Sequence, residues 1–287
     1  MKNNSLPISN DWLLTGASAT GLSHTEKDLP CQDGYIYKML NEFWGIAIVS
    51  DGAGSCVNSH FGSSLVVCES VTVFETLLHT QDWYINRLTP SPENWRNLAI
   101  NAMSYVFEKL HEYSVQYNMP FPSLASTVII TVFSESCLLT ANIGDGRLAY
   151  KNGSEDWQAG ITPFKGETVG ETVFITSSSA LANNLKYFET QVFDQPVTAF
   201  ALLSDGAEQI SFTVYRPDET GFFSDPNLPF SLFFNSICQT LESFFEQGYS
   251  ACEISEKFKN FLENGHPILV EEHDDKTMVI GIKKRRK

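Results

Sequence analysis

The chain has 287 residues, of which 43% are hydrophobic, so it is long enough to bury a large core. Its formal net charge of −15 argues against nucleic-acid binding, because contacts to phosphate backbones need a basic surface. The N-terminal segment lacks the apolar stretch of a signal peptide, and the longest apolar runs, such as residues 43–49, are too short to span a bilayer. We therefore expect a single globular domain over residues 1–287 that is cytoplasmic and does not bind membranes.

The first third of the chain predicts strands followed by helices. Short segments rich in aromatic and β-branched residues predict strands at residues 12–19, 35–40 and 44–50. Apolar residues near helical spacing then predict long helices at residues 58–79 and 94–117.

The middle of the chain predicts a three-stranded meander followed by a polar segment. The meander comprises strands at residues 127–133, 137–143 and 147–150, with the last turn at Asp145-Gly146. Residues 151–190 are polar and contain several glycines, which favours an insertion or flap.

The last third of the chain predicts a strand at 198–204, helices at 230–245 and 252–262, and a closing strand at 277–283. Residues 283–287 form a basic tail, interpreted as solvated, with docking to an acidic partner or a membrane surface as the alternative. The order of elements favours an α+β fold with antiparallel sheets flanked by helices. The six cysteines lack CxxC spacing and are expected to be reduced thiols, mostly in the core.

Acidic residues recur beside the predicted strands. Four Asp-Gly steps and one Asp-Asp step share this position: Asp33-Gly34, Asp51-Gly52, Asp145-Gly146, Asp205-Gly206 and Asp274-Asp275. Carboxylates and exposed backbone carbonyls are the oxygen ligands that Mg²⁺ and Mn²⁺ prefer. An Asp-Gly step is also a common hairpin turn, and Asp145-Gly146 is the most turn-like of the four. Several acidic groups at strand ends nevertheless favour a metal site, since buried like charges need a cation.

The motifs, taken in order, resemble those of the protein phosphatase 2C family of metal-dependent Ser/Thr phosphatases. The similar segments span nearly the whole chain: Cys31-Gln32-Asp33, Ser50-Asp51-Gly52-Ala53-Gly54, Ala125-Ser126-Thr127, Asn142-Ile143-Gly144-Asp145-Gly146-Arg147, Leu203-Ser204-Asp205-Gly206 and Asp274-Asp275-Lys276-Thr277. The resemblance implies a central β-sandwich of two antiparallel sheets with helices on the outside. It also implies a binuclear Mg²⁺ or Mn²⁺ site at one end.

The resemblance also implies a role for each acidic residue. Asp51 would bridge two metal ions, the Gly52 carbonyl would bind one of them, and Asp205 with Asp274 would hold the other. Asp33 would act through metal-bound water, and Asp145 with Asp205 would serve a third, weaker metal ion. In this scheme the metal ions activate a water molecule that attacks phosphorus, and no protein nucleophile is required.

The chain departs from the family pattern at positions that bind the substrate phosphate. Asp28 stands where many members have a phosphate-binding Arg, so His24 or Lys27 is the candidate replacement. Ala53 stands where a His is suspected of protonating the leaving group. His60 or metal-bound water is the candidate acid instead.

Two further departures would change the charge around the metal ions. Gln32 replaces an acidic residue and Asp275 replaces Asn. These departures resemble a divergent bacterial branch of the family, whose members often work beside partner Ser/Thr kinases.

The leading interpretation is a phosphoprotein phosphatase that acts on phosphoserine or phosphothreonine, working as a monomer, with a cognate Ser/Thr kinase as a candidate partner. One alternative is a pseudophosphatase that acts as a regulatory binding module, motivated by the missing Arg and His. Another is a phosphatase of small molecules. The intact set of Asp51, Asp205 and Asp274 favours an enzyme over a pseudophosphatase.

Overall fold

The computed structural model describes residues 11–153, 155–164, 172–177, 187–214, 216–217 and 223–284. The strands, in chain order, are β1 Trp12–Ala19, β2 Gly34–Met39, β3 Gly45–Ser50, β4 Val128–Phe133, β5 Leu138–Ile143, β6 Arg147–Lys151, β7 Gln158–Ala159, β8 Glu189–Phe193, β9 Ala199–Leu203, β10 Phe212–Thr213, β11 Arg216–Pro217, β12 Phe223–Ser224, β13 Leu228–Pro229 and β14 Lys276–Lys283. The α-helices are α1 Leu22–Thr25, α2 Ser59–Leu78, α3 Asp82–Ile85, α4 Pro92–Gln116, α5 Glu208–Ser211, α6 Ser231–Glu246, α7 Ala251–Asn264 and α8 Pro267–Val270. Short 3₁₀ helices cover Phe121–Leu124 and Asp205–Ala207.

Two antiparallel five-stranded sheets form the centre of the fold. The first sheet has the order β1-β14-β9-β6-β7, and the second has the order β2-β3-β4-β5-β8. Two short ladders, β10 with β13 and β11 with β12, lie outside these sheets. The arrangement confirms the predicted α+β sandwich.

Alternating side chains place a core on each face of the central strands. In β3, Ile46 and Ile48 belong to the cluster that packs against α2 and α4, whereas Ala47 and Val49 belong to the cluster between the sheets. A third cluster joins the first sheet to α6 and α7, with Phe234 packed at its centre. Because other residues pack on both of its faces, β3 is buried throughout. This burial explains why its sequence is a nearly continuous apolar run. The fold therefore has four layers: helices, sheet, sheet, helices.

Local signals explain where two of the long helices begin. The Ser91 side chain accepts a hydrogen bond from the Asn94 backbone, and Pro92 occupies the first position of α4. Ser250 and Glu253 form a reciprocal capping box at the start of α7.

The predicted three-stranded meander is wrong at its third strand. β4 and β5 form a hairpin in the second sheet, but β6 pairs with β9 and β7 in the first sheet. Residues 144–146 therefore cross between the sheets, and Gly144 takes a φ of +111° at the crossing. A strand carries no local signal of which sheet it will join, so alternation alone could not distinguish these two paths.

The segment predicted as a flap, residues 151–190, is only partly described. Residues 158–159 form β7 at the edge of the first sheet, and β8 begins at Glu189 and completes the edge of the second. Residues 154, 165–171 and 178–186 lie outside the described part of the chain. The flap assignment for the interior of this segment stays a prediction.

Two sequence expectations about apolar segments and cysteines need correction. Helix α2 is long and apolar enough to cross a membrane by length and composition. It packs against α4, β2 and β3 in this fold, as core helices of the same composition do. All six cysteines are free as expected, but only Cys137 is buried, while Cys68 and Cys252 are exposed.

We predict that Phe133→Ala destabilises the protein by about 3–5 kcal/mol, because a buried aromatic ring leaves a cavity between the sheets. The Phe133 ring lies 4.9 Å from that of Trp12 and 4.7 Å from that of Phe200, measured between centroids. Urea denaturation measures the effect. Leu232→Ala is the control, since Leu232 is 72% exposed and its loss should change the free energy of unfolding by less than about 0.5 kcal/mol. Equal effects of the two substitutions would contradict the assigned core.

Candidate active site

Predicted acidic residues from both sheets meet at one end of the sandwich. Asp51 follows β3 and Asp205 follows β9, while Asp33 immediately precedes β2 and Asp274 lies two residues before β14. Strand register puts these ends together within each sheet, because Gly34 pairs with Ser50 and Leu203 pairs with Met278.

A direct hydrogen bond joins the two sheets at this end. The Ser204 hydroxyl donates to the Asp33 carboxylate over 2.7 Å and accepts from the Thr277 backbone amide over 2.9 Å. Asp33 belongs to the loop before the second sheet, whereas Ser204 and Thr277 belong to the first. Ser204 directly precedes the predicted metal ligand Asp205, and Thr277 lies three residues after Asp274.

The Ala125-Ser126-Thr127 motif fixes the backbone of Asp51. The Asp51 amide donates to the Thr127 hydroxyl over 3.1 Å, and the Thr127 amide donates to the Asp51 carbonyl over 2.8 Å. Gly52 forms an isolated antiparallel bridge with Ser126. The Asp51 side chain therefore projects from a backbone that is held on both sides.

The glycines after the aspartates serve close packing rather than hairpin turns. Among the described residues, the glycines with positive φ are Gly144, Gly153 and Gly248, so none of the four Asp-Gly steps uses that conformation. A Cβ at Gly52 would lie 2.5 Å from the Gln32 carbonyl oxygen, and one at Gly206 would collide with the Asp275 carbonyl oxygen. The turn interpretation is therefore wrong, because these positions need glycine for space between backbones.

Burial and mutual repulsion disturb the ionisation of these carboxyl groups. Burial, followed by the charges of Asp33, Asp205 and Asp274, raises the pKa of Asp51 well above its ordinary value. Burial also raises the pKa of Asp33 to about 7, although hydrogen bonds from Thr277 and Ser204 act in the opposite direction. The pKa of Asp205 rises to about 7 through burial and the nearby carboxylates of Asp145 and Asp274.

The pKa of Asp274 is raised as well, first by burial. The cluster must therefore take up protons or bind a cation near neutral pH.

The donor set fits hard divalent cations. Oδ1 of Asp33 and Oδ1 of Asp205 are buried without a hydrogen-bond partner, which is costly for a carboxylate. In the described part of the chain, no three His, Cys, Asp or Glu side chains already form a complete ligand group. Mg²⁺ commonly retains several waters and uses only one or two carboxylates, so these two observations are compatible. Water and the Gly52 carbonyl would complete the coordination.

Asp145 lies apart from this group in its contacts. Its side chain accepts a hydrogen bond of 2.6 Å from the Thr172 hydroxyl, and the residue is 8% exposed. Its charge acts on Asp205, as the raised pKa of that residue indicates. Its assignment to a third metal ion stays a prediction.

The candidate phosphate-binding residues occupy different environments. His24 is 5% exposed, and its Nδ1 lies 2.9 Å from the Asp275 carboxylate. Lys27 is exposed beside Asp28, which takes a φ of +56°. Phosphate binding by Lys27 stays a prediction.

The candidate acid His60 lies at the start of α2. His60 is half-buried there, and burial lowers its pKa. Its Nδ1 is buried without a hydrogen-bond partner. A role in protonating the leaving group stays a prediction.

Arg147 is a buried arginine beside the site that was not predicted from the sequence as a functional residue. Arg147 is fully buried and donates to Glu208 over 2.7 and 3.0 Å, to Asp225 over 2.6 Å and to Asn227 over 2.9 Å. It thereby ties the start of β6 to α5, which follows Asp205. The arginine was visible in the motif, but its partners lie 61 to 80 residues away along the chain.

Comparisons with known proteins agree with this geometry. The family model "Protein phosphatase 2C" matches residues 20–263. Serine/threonine-protein phosphatase 3 of Escherichia coli (strain K12) is 26% identical over 277 residues, which cover 94% of this chain and 98% of the relative.

Two solved structures show the same fold at low sequence identity. Serine/threonine phosphatase Stp1 from Staphylococcus aureus aligns with a TM-score of 0.58 and 14% identity, covering 99% of this chain and 100% of its own. The S. agalactiae serine/threonine phosphatase aligns with a TM-score of 0.57 and 11% identity, covering 95% and 100%. Because the family model spans most of the sequence, the chain belongs to the protein phosphatase 2C family.

Proposed function

We propose that the protein hydrolyses phosphoserine and phosphothreonine in phosphoproteins, using two Mg²⁺ or Mn²⁺ ions at the carboxylate cluster. The observation that carries this proposal is the pair of buried, unpartnered carboxylate oxygens on Asp33 and Asp205, set among other acidic groups. Family membership supports the reaction, and the relatives named above are serine/threonine phosphatases.

Different groups of ligands would hold the two ions. Asp51 and the Gly52 carbonyl would hold one ion, and Asp51, Asp205 and Asp274 the other, with Asp33 acting through coordinated water. When bound, the ions would supply an activated water and offset negative charge on the phosphoryl group.

The remaining residues orient these ligands and keep their geometry fixed. The Ser204 hydroxyl directs one oxygen of Asp33, and Thr127 holds the backbone of Asp51. Positioning of this kind lowers the cost of reorganising the site during reaction. Lys27, exposed on the loop before Asp33, is the proposed contact for the substrate phosphate.

The pseudophosphatase alternative gains no support from the relatives, which are named as serine/threonine phosphatases. A small-molecule phosphatase would use the same cluster, so substrate preference decides between the two enzymes. A partner kinase, a monomeric state and a cytoplasmic location stay predictions.

We predict that Asp51→Asn lowers kcat by about 100-fold or more, because the substitution weakens binding of the ions that activate water. Hydrolysis of p-nitrophenyl phosphate and of a phosphothreonine peptide, each with Mn²⁺ and with EDTA, measures the effect. Glu108→Gln removes one negative charge from an exposed position on α4 and should leave kcat unchanged.

Two outcomes of this assay would count against the proposal. Absence of Mn²⁺-dependent turnover on both substrates would overturn the enzyme assignment. Equal catalytic efficiency on the peptide and on p-nitrophenyl phosphate would overturn the protein-substrate assignment.

A second prediction concerns pH. The folded-state pKa values of Asp33 and Asp205, each about 7, exceed the unfolded value of 3.8, so the folded protein binds more protons between these limits. Without metal, the stability that these two groups contribute is therefore fully present at low pH, and it is lost as the pH rises towards 7. Bound Mg²⁺ offsets this loss only where the carboxylates are ionised.

The rise in Tm on adding Mg²⁺ should consequently be larger at about pH 8 than at about pH 5.5. Differential scanning calorimetry with matched EDTA samples measures it. The double variant Asp33→Asn, Asp205→Asn should show a small Mg²⁺ effect at both pH values. An equal rise at both pH values in the unmodified protein would contradict the prediction.

A further inference from the structure

One buried carboxylate adjoins the candidate metal centre without belonging to the predicted ligands. Asp275 is 1% exposed and accepts three hydrogen bonds. The Gly21 amide donates to Oδ1 over 2.8 Å, the Gln32 amide donates to Oδ2 over 2.5 Å, and His24 Nδ1 lies 2.9 Å from Oδ2.

These contacts close the loop of residues 21–32 at both of its ends. Further backbone hydrogen bonds dock the start of the loop on the segment before β14, from Leu22 to Glu272 over 3.0 Å and from Ser23 to His273 over 3.1 Å. The loop leads directly into Asp33. Asp275 also follows Asp274 directly. Its carboxylate therefore links the segments that carry Asp33 and Asp274, two predicted metal ligands.

Backbone packing connects Gln32 and Asp275 to the other two predicted ligands, Asp51 and Asp205. The Gln32 carbonyl packs against Gly52, the residue after Asp51, and accepts a hydrogen bond from the Ser63 hydroxyl. The Asp275 carbonyl packs against Gly206, the residue after Asp205. A shift of Asp275 would therefore displace both Asp-Gly steps, because neither glycine leaves room for adjustment.

We infer that Asp275 is a positioning residue for the metal centre, with His24 holding its carboxylate in orientation. The inference rests on the proposed function, since it assigns a role toward the metal ions of that site. A carboxylate suits this position because both oxygens accept backbone amide hydrogens. An amide in the same place would turn its NH₂ group toward one of those donors and leave it unpaired.

We expect Asp275→Asn to raise the dissociation constant for Mn²⁺ about 10–100-fold, the usual effect of losing a partner that orients metal ligands. Isothermal titration calorimetry with MnCl₂ on the full chain measures binding independently of activity. His273→Asn is the matched control, because its side chain is exposed in the same segment and hydrogen-bonds to Ser23 over 3.3 Å rather than to Asp275. The control should change the dissociation constant by less than about twofold.

Each outcome decides the inference. A rise of at least fivefold for Asp275→Asn alone supports it. A smaller rise, or an equal rise in His273→Asn, overturns it, as does a lower Tm in EDTA with unchanged Mn²⁺ affinity. Failure of the unmodified protein to bind Mn²⁺ would instead overturn the proposed metal site.

A second variant covers the case in which Asp275→Asn does not fold. His24→Asn leaves both backbone donors on Asp275 and removes only the ring that orients the carboxylate. It should weaken Mn²⁺ binding by at least threefold, and a smaller change would overturn the inference.

Discussion

The repulsion among buried carboxylates at one end of the sandwich is the constraint on which the rest of the site depends. Burial raises the pKa values of Asp33, Asp51, Asp205 and Asp274, and the charges of neighbouring carboxylates raise them further. Such a cluster persists only if the surrounding structure holds it together and a cation or protons neutralise it. The contacts around the carboxylates hold this cluster together.

Those contacts combine hydrogen bonds with very close backbone packing. Ser204 crosses from one sheet to the carboxylate of Asp33 at the edge of the other. The glycines that follow Asp51 and Asp205 let two backbone carbonyls approach where a side chain would collide. The Asp275 carboxylate accepts hydrogen bonds from both ends of the loop of residues 21–32, which leads into Asp33. The buried strands supply the rigid frame, because their side chains pack on both faces.

The order and type of the main elements could be predicted because each carries a strong local pattern. The long helices and the buried strands of both sheets lie within a few residues of their predicted bounds. Two features carried no such signal. β8 is a half-buried edge strand with polar residues, and β6 joins the opposite sheet although it follows β5 after three residues. Sheet partners are chosen by long-range pairing, which local alternation does not report.

The sequence alone determined which acidic residues lie at strand ends and that the chain resembles the protein phosphatase 2C family. These features could be read there because a carboxylate beside an apolar run is a local pattern. Only the tertiary structure decided why glycine follows Asp51 and Asp205, and that His24 is buried against Asp275. It also decided that Arg147 joins two segments about 60 residues apart. These facts depend on contacts between distant parts of the chain, and folding alone brings those parts together.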